Sequence, residues 1–164
     1  VLYLIDANVL ITANANYYPI DRIPPFWDWL YQEAVDGHIK MPFEIHQEIA
    51  VSNKGPLKDW ITDPDVESAL ILDEEVDYGL FNIAVDQGYA PDLTDHEMDE
   101  IGNDPFLVAH ALINTAGQGV VTKEVSKPSK TRANRKLPDV CAQFGVTCID
   151  DFELYRRREF KIVR

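Results

Sequence analysis

Short apolar runs alternate along this chain with amphipathic stretches at helical spacing. The first run predicts a strand over Leu2 to Asp6, apolar through Ile5 and then broken by Asp6-Ala7-Asn8. Pro24 and Pro25 open a helix in which Trp27, Leu30, Tyr31 and Ala34 recur at i, i+3, i+4 and i+7, and Gly37 stops it. Ile39 to Met41 predicts a short strand. Pro42 stands where the next helix begins, with Ile45 and Ile49 on its apolar face.

The middle of the chain is less regular. Asn53 to Pro56 reads as a turn and Leu57 to Ile61 as a helical turn or two, while Val66 to Leu72 admits either strand or helix. Leu80, Ile83 and Ala84 fit a helix ending before Gly88, and Thr94-Asp95-His96-Glu97 matches a capping box that predicts a short helix towards Ile101. Asp104-Pro105 has the form of a cap followed by proline at the first helical position, ahead of the stripe Leu107, Val108, Ala111 and Leu112. Gly117 and Gly119 precede a strand over Val120 to Thr122, and a polar loop runs to about Arg135. Pro138 opens a helix containing Val140, Cys141 and Phe144, Gly145 ends it, and Val146 to Ile149 is the last strand. Asp150 or Asp151 caps a final helix reaching Arg158. This alternation predicts an α/β fold, a mostly parallel sheet with helices on both faces.

The 164 residues predict one domain over 1–164, with an inserted helical region around 55–90. Hydrophobic residues make up 46% of the chain, enough for a sizeable core. No apolar run approaches the roughly 20 residues of a membrane helix, and no basic-then-apolar leader opens the chain. An opening Val1 in place of Met points to a removed start or tag. Cys141 and Cys148 form neither a disulfide framework nor a zinc pattern, which suits free thiols in a cytoplasmic protein.

Charge changes the picture. Asp and Glu total 28 against 15 Lys and Arg, a net charge of −13, so the body of the protein disfavours nonspecific nucleic-acid binding. The exception is one stretch with Lys123, Lys127, Lys130, Arg132, Arg135 and Lys136 against the single acid Glu124. An acidic body with one basic stretch suggests a directed contact with an anion; a solvated loop is the plain alternative.

Parallel strands end at a common edge, where such folds bind ligands. Asp6 ends the first strand, Glu124 follows the strand ending at Thr122, and Asp104 opens the helix leading into that strand. Glu44 and Glu48 share one face of the helix after the second strand. Singly, these are ordinary caps and surface acids. Together at one rim they repel each other, and a cation relieves that repulsion. Oxygen donors without a Cys/His cluster favour Mg²⁺ or Mn²⁺ over Zn²⁺, and His96-Glu97 lacks the second histidine of a zincin motif.

Four segments in order carry a resemblance: Leu4-Ile5-Asp6-Ala7-Asn8-Val9-Leu10, Met41-Pro42 through Gln47-Glu48-Ile49, Asp104-Pro105-Phe106-Leu107-Val108-Ala109-His110-Ala111, and Val120-Val121-Thr122-Lys123-Glu124. The chain resembles the PIN domain, a family of metal-dependent ribonucleases that includes VapC-type toxins, and most closely a less-characterised PIN-like subgroup. The resemblance implies a three-layer α/β/α sandwich and an acidic Mg²⁺ site of Asp6, Glu48, Asp104 and Glu124, supported by Asn8 and Thr122. Glu48 is preferred to Glu44 because it directly precedes Ile49. The chain departs from the pattern in having Glu124 where Asp is commoner, and in its extra length between Gly55 and Tyr89 and after Glu124.

The function so implied is endonucleolytic hydrolysis of RNA by one or two Mg²⁺ or Mn²⁺ ions, with Lys123, Lys127, Lys130, Arg132, Arg135 and Lys136 on the RNA backbone. Asn8 would orient Asp6 or water, and Thr122 the loop carrying Glu124. A toxin role in a type II toxin–antitoxin pair, an antitoxin partner and a homodimer belong to the same set of expectations. The rival of another class is a catalytically inactive module binding RNA or protein. An aspartyl phosphatase using Asp6 is disfavoured, since Asn8 cannot supply the proton that chemistry needs two residues on.

Overall fold

The first strand, β1 (Leu2–Ile5), turns directly into a helix that its alternation does not announce. Asp6 caps α1 (Ala7–Thr12), and a single π-helical turn, Ala13–Tyr17, continues it. Val9 and Ile11 suit a strand locally, but Val9, Leu10 and Ala13 lie on the buried side of this helical segment. The computed structural model describes residues 1–52 and 54–163, so the Asn53 end of the expected turn lies outside the described residues.

The chain continues through α2 (Pro24–Val35), β2 (Ile39–Lys40), α3 (Phe43–Ser52), α4 (Pro56–Ile61), α5 (Pro64–Leu70), α6 (Tyr78–Gly88), α7 (Asp95–Ile101) and α8 (Asp104–Leu112). After β3 (Gln118–Val121) come a 3₁₀ turn at Arg132–Asn134, α9 (Leu137–Gln143), β4 (Thr147–Ile149) and α10 (Asp151–Arg157). The expected insertion around 55–90 holds three helices, α4 to α6. Val66 to Leu72, open between helix and strand, is divided: Val66 to Leu70 complete α5, and Ile71 forms a parallel bridge with Met41. Thr94 and Glu97 make both arms of the expected capping box, and Asp150, not Asp151, caps α10.

The sheet is four-stranded in the order β2-β1-β3-β4, and every pair is parallel. Leu4 pairs with Lys40 on one side and Val120 on the other, and Val120 pairs in turn with Cys148. Leu4, Ile5, Val120 and Val121 are fully buried, as strands covered on both faces must be.

The crossover from β1 leads to β2 at one edge, whereas the crossover from β3 leads to β4 at the other. Right-handed crossovers in opposite directions put helices on opposite faces, giving a three-layer α/β/α sandwich. On one side α2 meets α10, with the Phe26 and Tyr155 rings 5.3 Å apart. On the other, α8 packs with α6 and α9. Gly88 makes that layer fit: a β-carbon there would stand 2.9 Å from Val140 Cγ1. One continuous core extends from Tyr3 to Tyr155. Among the described residues, no helix is long and apolar enough to cross a membrane.

Candidate metal centre

Where β1 and β3 send their connections in opposite directions, the loops part and leave a crevice beyond the strand ends, the switch point at which α/β sheets bind ligands. Asp6 follows β1 and Thr122 follows β3, on neighbouring strands tied by the Asp6 N–H to the Val121 carbonyl at 2.9 Å. Asp6 is 5% exposed. Its Oδ1 accepts the Ala7 N–H at 2.7 Å, and its Oδ2 accepts the Thr122 hydroxyl at 2.9 Å.

Thr122 uses its full hydrogen-bonding capacity. Besides donating to Asp6, its Oγ1 accepts from the Glu124 N–H at 3.1 Å and from Asn8 Nδ2 at 3.4 Å. Asn8 Oδ1 accepts the Lys123 N–H at 3.1 Å. The expected support is therefore present in a different arrangement: Asn8 fastens the loop after β3 and reaches Asp6 only through Thr122.

Asp104 corrects a second expectation. It is the first residue of α8 and not its cap; Asn103 holds that position and makes no capping bond of its own. Asp104 instead joins Asp6 and Glu124 in a group whose nearest carboxylate oxygens all lie within 4.8 Å of one another. Glu124 is oriented at both ends, its N–H on Thr122 and its Oε2 accepting the Leu137 N–H at 3.2 Å.

Glu48 stands outside that three-residue group. Its Oε1 accepts Asn103 Nδ2 at 2.8 Å, and its charge acts on both Asp6 and Asp104. Glu44 acts on His110 instead. Asn103, which fixes Glu48 from the residue next to Asp104, carried no signal in the sequence beyond that adjacency.

Burial, joined at Asp6 and Asp104 by repulsion from neighbouring carboxylates, makes it harder for three of these acids to carry charge. Burial pushes Asp6 up to about 6, against the hydrogen bonds from Thr122 and Ala7, and Glu124 and Glu48 add to the rise. Burial, then the charges of Asp6, Glu124 and Glu48, push Asp104 up to about 8, with Lys136 opposing. Burial also raises Glu48. Converging, buried carboxylates that repel one another fit a hard divalent cation. Oxygens sharing one Mg²⁺ at about 2.1 Å sit roughly 3 to 4 Å apart, so a small closing of the side chains suffices.

A cavity of about 300 Å³ opens beside Asp104 and Glu124, with Tyr89 in its wall and Lys130, Arg135 and Lys136 among the residues of its rim. The six cations of the basic stretch do not all face outward. Lys123 turns inward to Asp151 at 3.2 Å, and its ammonium lies 5.2 and 4.9 Å from the centres of the Tyr17 and Phe152 rings. Arg132 is paired with Asp92 at 2.7 Å and Glu97 at 2.9 Å. Arg135 donates to the Gly88 carbonyl and to Gln143 Oε1, each at 2.5 Å. Lys127, Lys130 and Lys136 have no ion-pair partner among the described residues. The cationic surface is thus narrower than the count of basic residues suggests.

A parallel α/β sandwich with three carboxylates gathered at its switch point defines the class: an α/β protein with a candidate divalent-metal centre. The chain belongs to the family described as Domain of unknown function (DUF4411), whose model matches residues 3–162 and so spans every residue of the centre. No curated protein and no solved structure matches it.

Proposed function

We propose that this chain is a metal-dependent ribonuclease of the PIN type, hydrolysing RNA phosphodiesters at the centre formed by Asp6, Asp104 and Glu124. The observation that carries the reading is the meeting of these three acids within 4.8 Å at the switch point, from segments about a hundred residues apart in the case of Asp6 and Asp104. The resemblance in their flanking sequence is the second support.

Asp6, Asp104 and Glu124 would hold Mg²⁺ or Mn²⁺, with Glu48 adding its charge to theirs. The cation would supply Lewis-acid polarisation of the phosphoryl group and activation of water. Thr122 keeps Asp6 aimed and, with Leu137, sets the reach of Glu124. That fixed reach suits the longer Glu side chain in place of Asp. Lys127, Lys130 and Lys136 would offset the repulsion between an acidic body and the RNA backbone. In the net reaction water adds across one P–O bond: its oxygen joins phosphorus and a proton passes to the departing ribose oxygen.

Calorimetric titration with Mn²⁺, followed by incubation of the protein with single-stranded RNA, tests this reading. Mn²⁺ should bind, RNA should be cut, and Asp104→Asn should lose both while remaining folded. A flat Mn²⁺ titration with the fold intact would favour the non-catalytic module, and Mn²⁺ binding without cleavage of any RNA would overturn the nuclease reading. Absence of Mn²⁺ binding would remove the metal site itself. A toxin role with an antitoxin partner, and a homodimer, rest on the resemblance alone; growth arrest on expression tests the first and the mass in solution the second.

A further inference from the structure

The chain holds two cysteines, seven positions apart, and folding brings them together. Cys141 lies in the last turn of α9 and Cys148 in the middle of β4. A tight turn joins the two elements: Gly145 takes a positive φ of 69°, and the Val146 N–H donates to the Cys141 carbonyl at 2.9 Å. Helix α9 packs on β4, and the two thiols lie within hydrogen-bonding reach of each other. That contact, ahead of burial, pushes the Cys141 thiol well up. Buried free cysteines are ordinarily inert core residues. This pair differs in being unequal, since Cys141 is fully buried and Cys148 is part-exposed. An accessible thiol beside a second, resolving one is the arrangement that redox-sensitive pairs use.

The surroundings give the pair a consequence. Cys148 pairs with Val120 in the sheet, and the next residue of β4, Ile149, takes the Thr122 N–H on its carbonyl at 3.1 Å. Strand β4 is therefore fixed to the segment that ends in Thr122. Cys141 lies one turn after Leu137, whose N–H holds Glu124 Oε2 at 3.2 Å. Glu124 is thus strung between two anchors, the sheet through Thr122 at its N–H and α9 through Leu137 at its carboxylate. A covalent bond between α9 and β4 alters the spacing of those two anchors. Cys148 and Glu124 also line one cavity of about 410 Å³, through which a small oxidant can approach the strand.

We propose that Cys141 and Cys148 close a reversible disulfide when a hydroperoxide reaches them, and that the bond weakens the hold of the centre on its cation by displacing Glu124. The oxidant meets the part-exposed Cys148 first. The Cys148 sulfur takes one peroxide oxygen as the O–O bond breaks, becoming a sulfenic acid, and the remainder leaves as an alcohol, or as water from hydrogen peroxide. The Cys141 sulfur then displaces that oxygen, which departs as water with the Cys141 proton. In sum the two thiols lose two hydrogens with their electrons, and the peroxide is reduced. A thiol reductant reverses the bond by exchange. The effect on the cation rests on the metal reading; the disulfide does not.

The test treats the full, folded chain with hydrogen peroxide and then with iodoacetamide, and weighs the fragment from Leu137 to Arg156 that trypsin releases, which contains both cysteines and no methionine. The fragment should be two hydrogens lighter than its reduced form and carry no alkyl group, and dithiothreitol before alkylation should restore both sites. Two alkylated cysteines after peroxide, or oxygen added at Cys148 with Cys141 still alkylated, overturns the disulfide. Calorimetry with Mn²⁺ reads the coupling. The linked protein should bind Mn²⁺ about tenfold more weakly than the reduced one, as when a metal ligand loses its outer partner. Cys148→Ser should bind Mn²⁺ as the reduced protein does, before and after peroxide. Equal Mn²⁺ affinity of the linked and reduced forms overturns the coupling. A reduced protein that binds no Mn²⁺ sinks the metal centre and the coupling with it, while the fragment mass still decides the disulfide.

Discussion

Thr122 donates its hydroxyl proton to Asp6 Oδ2 at 2.9 Å across neighbouring strands, while the same oxygen takes the Glu124 N–H. One side chain thus aims two of the three gathered acids. Thr122→Val keeps the volume and removes all three bonds. It leaves Asp6 buried without that donor, which costs about 1–3 kcal/mol. The urea midpoint should fall accordingly and Mn²⁺ affinity should drop, while Thr122→Ser should retain most of both. An unchanged Mn²⁺ affinity in the valine variant would show that Asp6 needs no such support.

Stability of the metal-free protein should fall as pH rises from about 4 to about 8. Asp6 and Asp104 bind protons more tightly folded than unfolded, with values raised from 3.8 to about 6 and about 8. Below pH 4 both states carry the protons and the two groups contribute nothing. As pH climbs, the unfolded chain releases its protons first, so the folded state loses ground until about pH 8. Urea midpoints at pH 5 and pH 8 read this directly. Mn²⁺ should narrow the gap by supplying the missing positive charge, and Asp104→Asn should narrow it without metal. A gap between pH 5 and pH 8 that Asp104→Asn leaves unchanged would contradict the convergence of acids, since His110, held below its ordinary value by burial, acts in the opposite direction and is present in both proteins.

The basic stretch divides into cations already paired and cations without an ion-pair partner among the described residues, and salt dependence tells them apart. Each phosphate contact on single-stranded RNA contributes about −0.7 to the slope of log K against log salt. Lys136→Ala should make that slope shallower by roughly this amount. Arg132→Ala should leave it alone, since Asp92 and Glu97 already take that guanidinium. Denaturant unfolding of Arg132→Ala should show little change in stability, as for other solvent-exposed pairs.

Lys123 belongs with the paired cations by the same criterion. Asp151 is fully buried, with one carboxylate oxygen on Lys123 and the other unpartnered. Lys123→Met should cost about 3 kcal/mol by leaving that charge alone, the lower end of what such losses cost because Lys123 itself is part-exposed. Denaturant unfolding measures it. Asp151→Asn in the same chain should recover part of the loss.

Packing between α6 and α9 sets the remaining prediction. Gly88→Ala drives a methyl group to within 2.9 Å of Val140 Cγ1 and 3.1 Å of the Phe144 ring. Overpacking of this kind costs about 1–3 kcal/mol.

The strands and most helices could be read from local chemistry: Pro24 and Pro25, the Thr94 and Glu97 box, and the apolar run before Asp6 each act over a few residues. The three gathered acids were legible because strand ends and a helix start converge in a parallel fold. Helix α1 was not, since Val9 and Ile11 favour a strand until Asp6 caps the turn. The ion pairs that occupy Arg132 and Lys123 were also hidden. Arg132 meets Asp92 from 40 positions away and Lys123 meets Asp151 from 28, and no periodicity reports pairs brought together by tertiary packing.

The ladder bond from Asp6 to Val121 has a consequence for motion. It belongs to the central strand pair, the kind of core element expected to open only with the whole molecule. The amides of Asp6 and Thr122 should exchange with solvent deuterium at the rate of global unfolding, whereas the exposed run from Val125 to Lys130 is free to exchange through local opening. One wall of the centre is built into the sheet, and the other is an exposed loop fastened by a few bonds such as Lys127 N–H to Asp139 Oδ2 at 2.8 Å. A ligand that bridges them should therefore slow exchange in the loop and leave the strands as they were, a record of occupancy that requires no turnover.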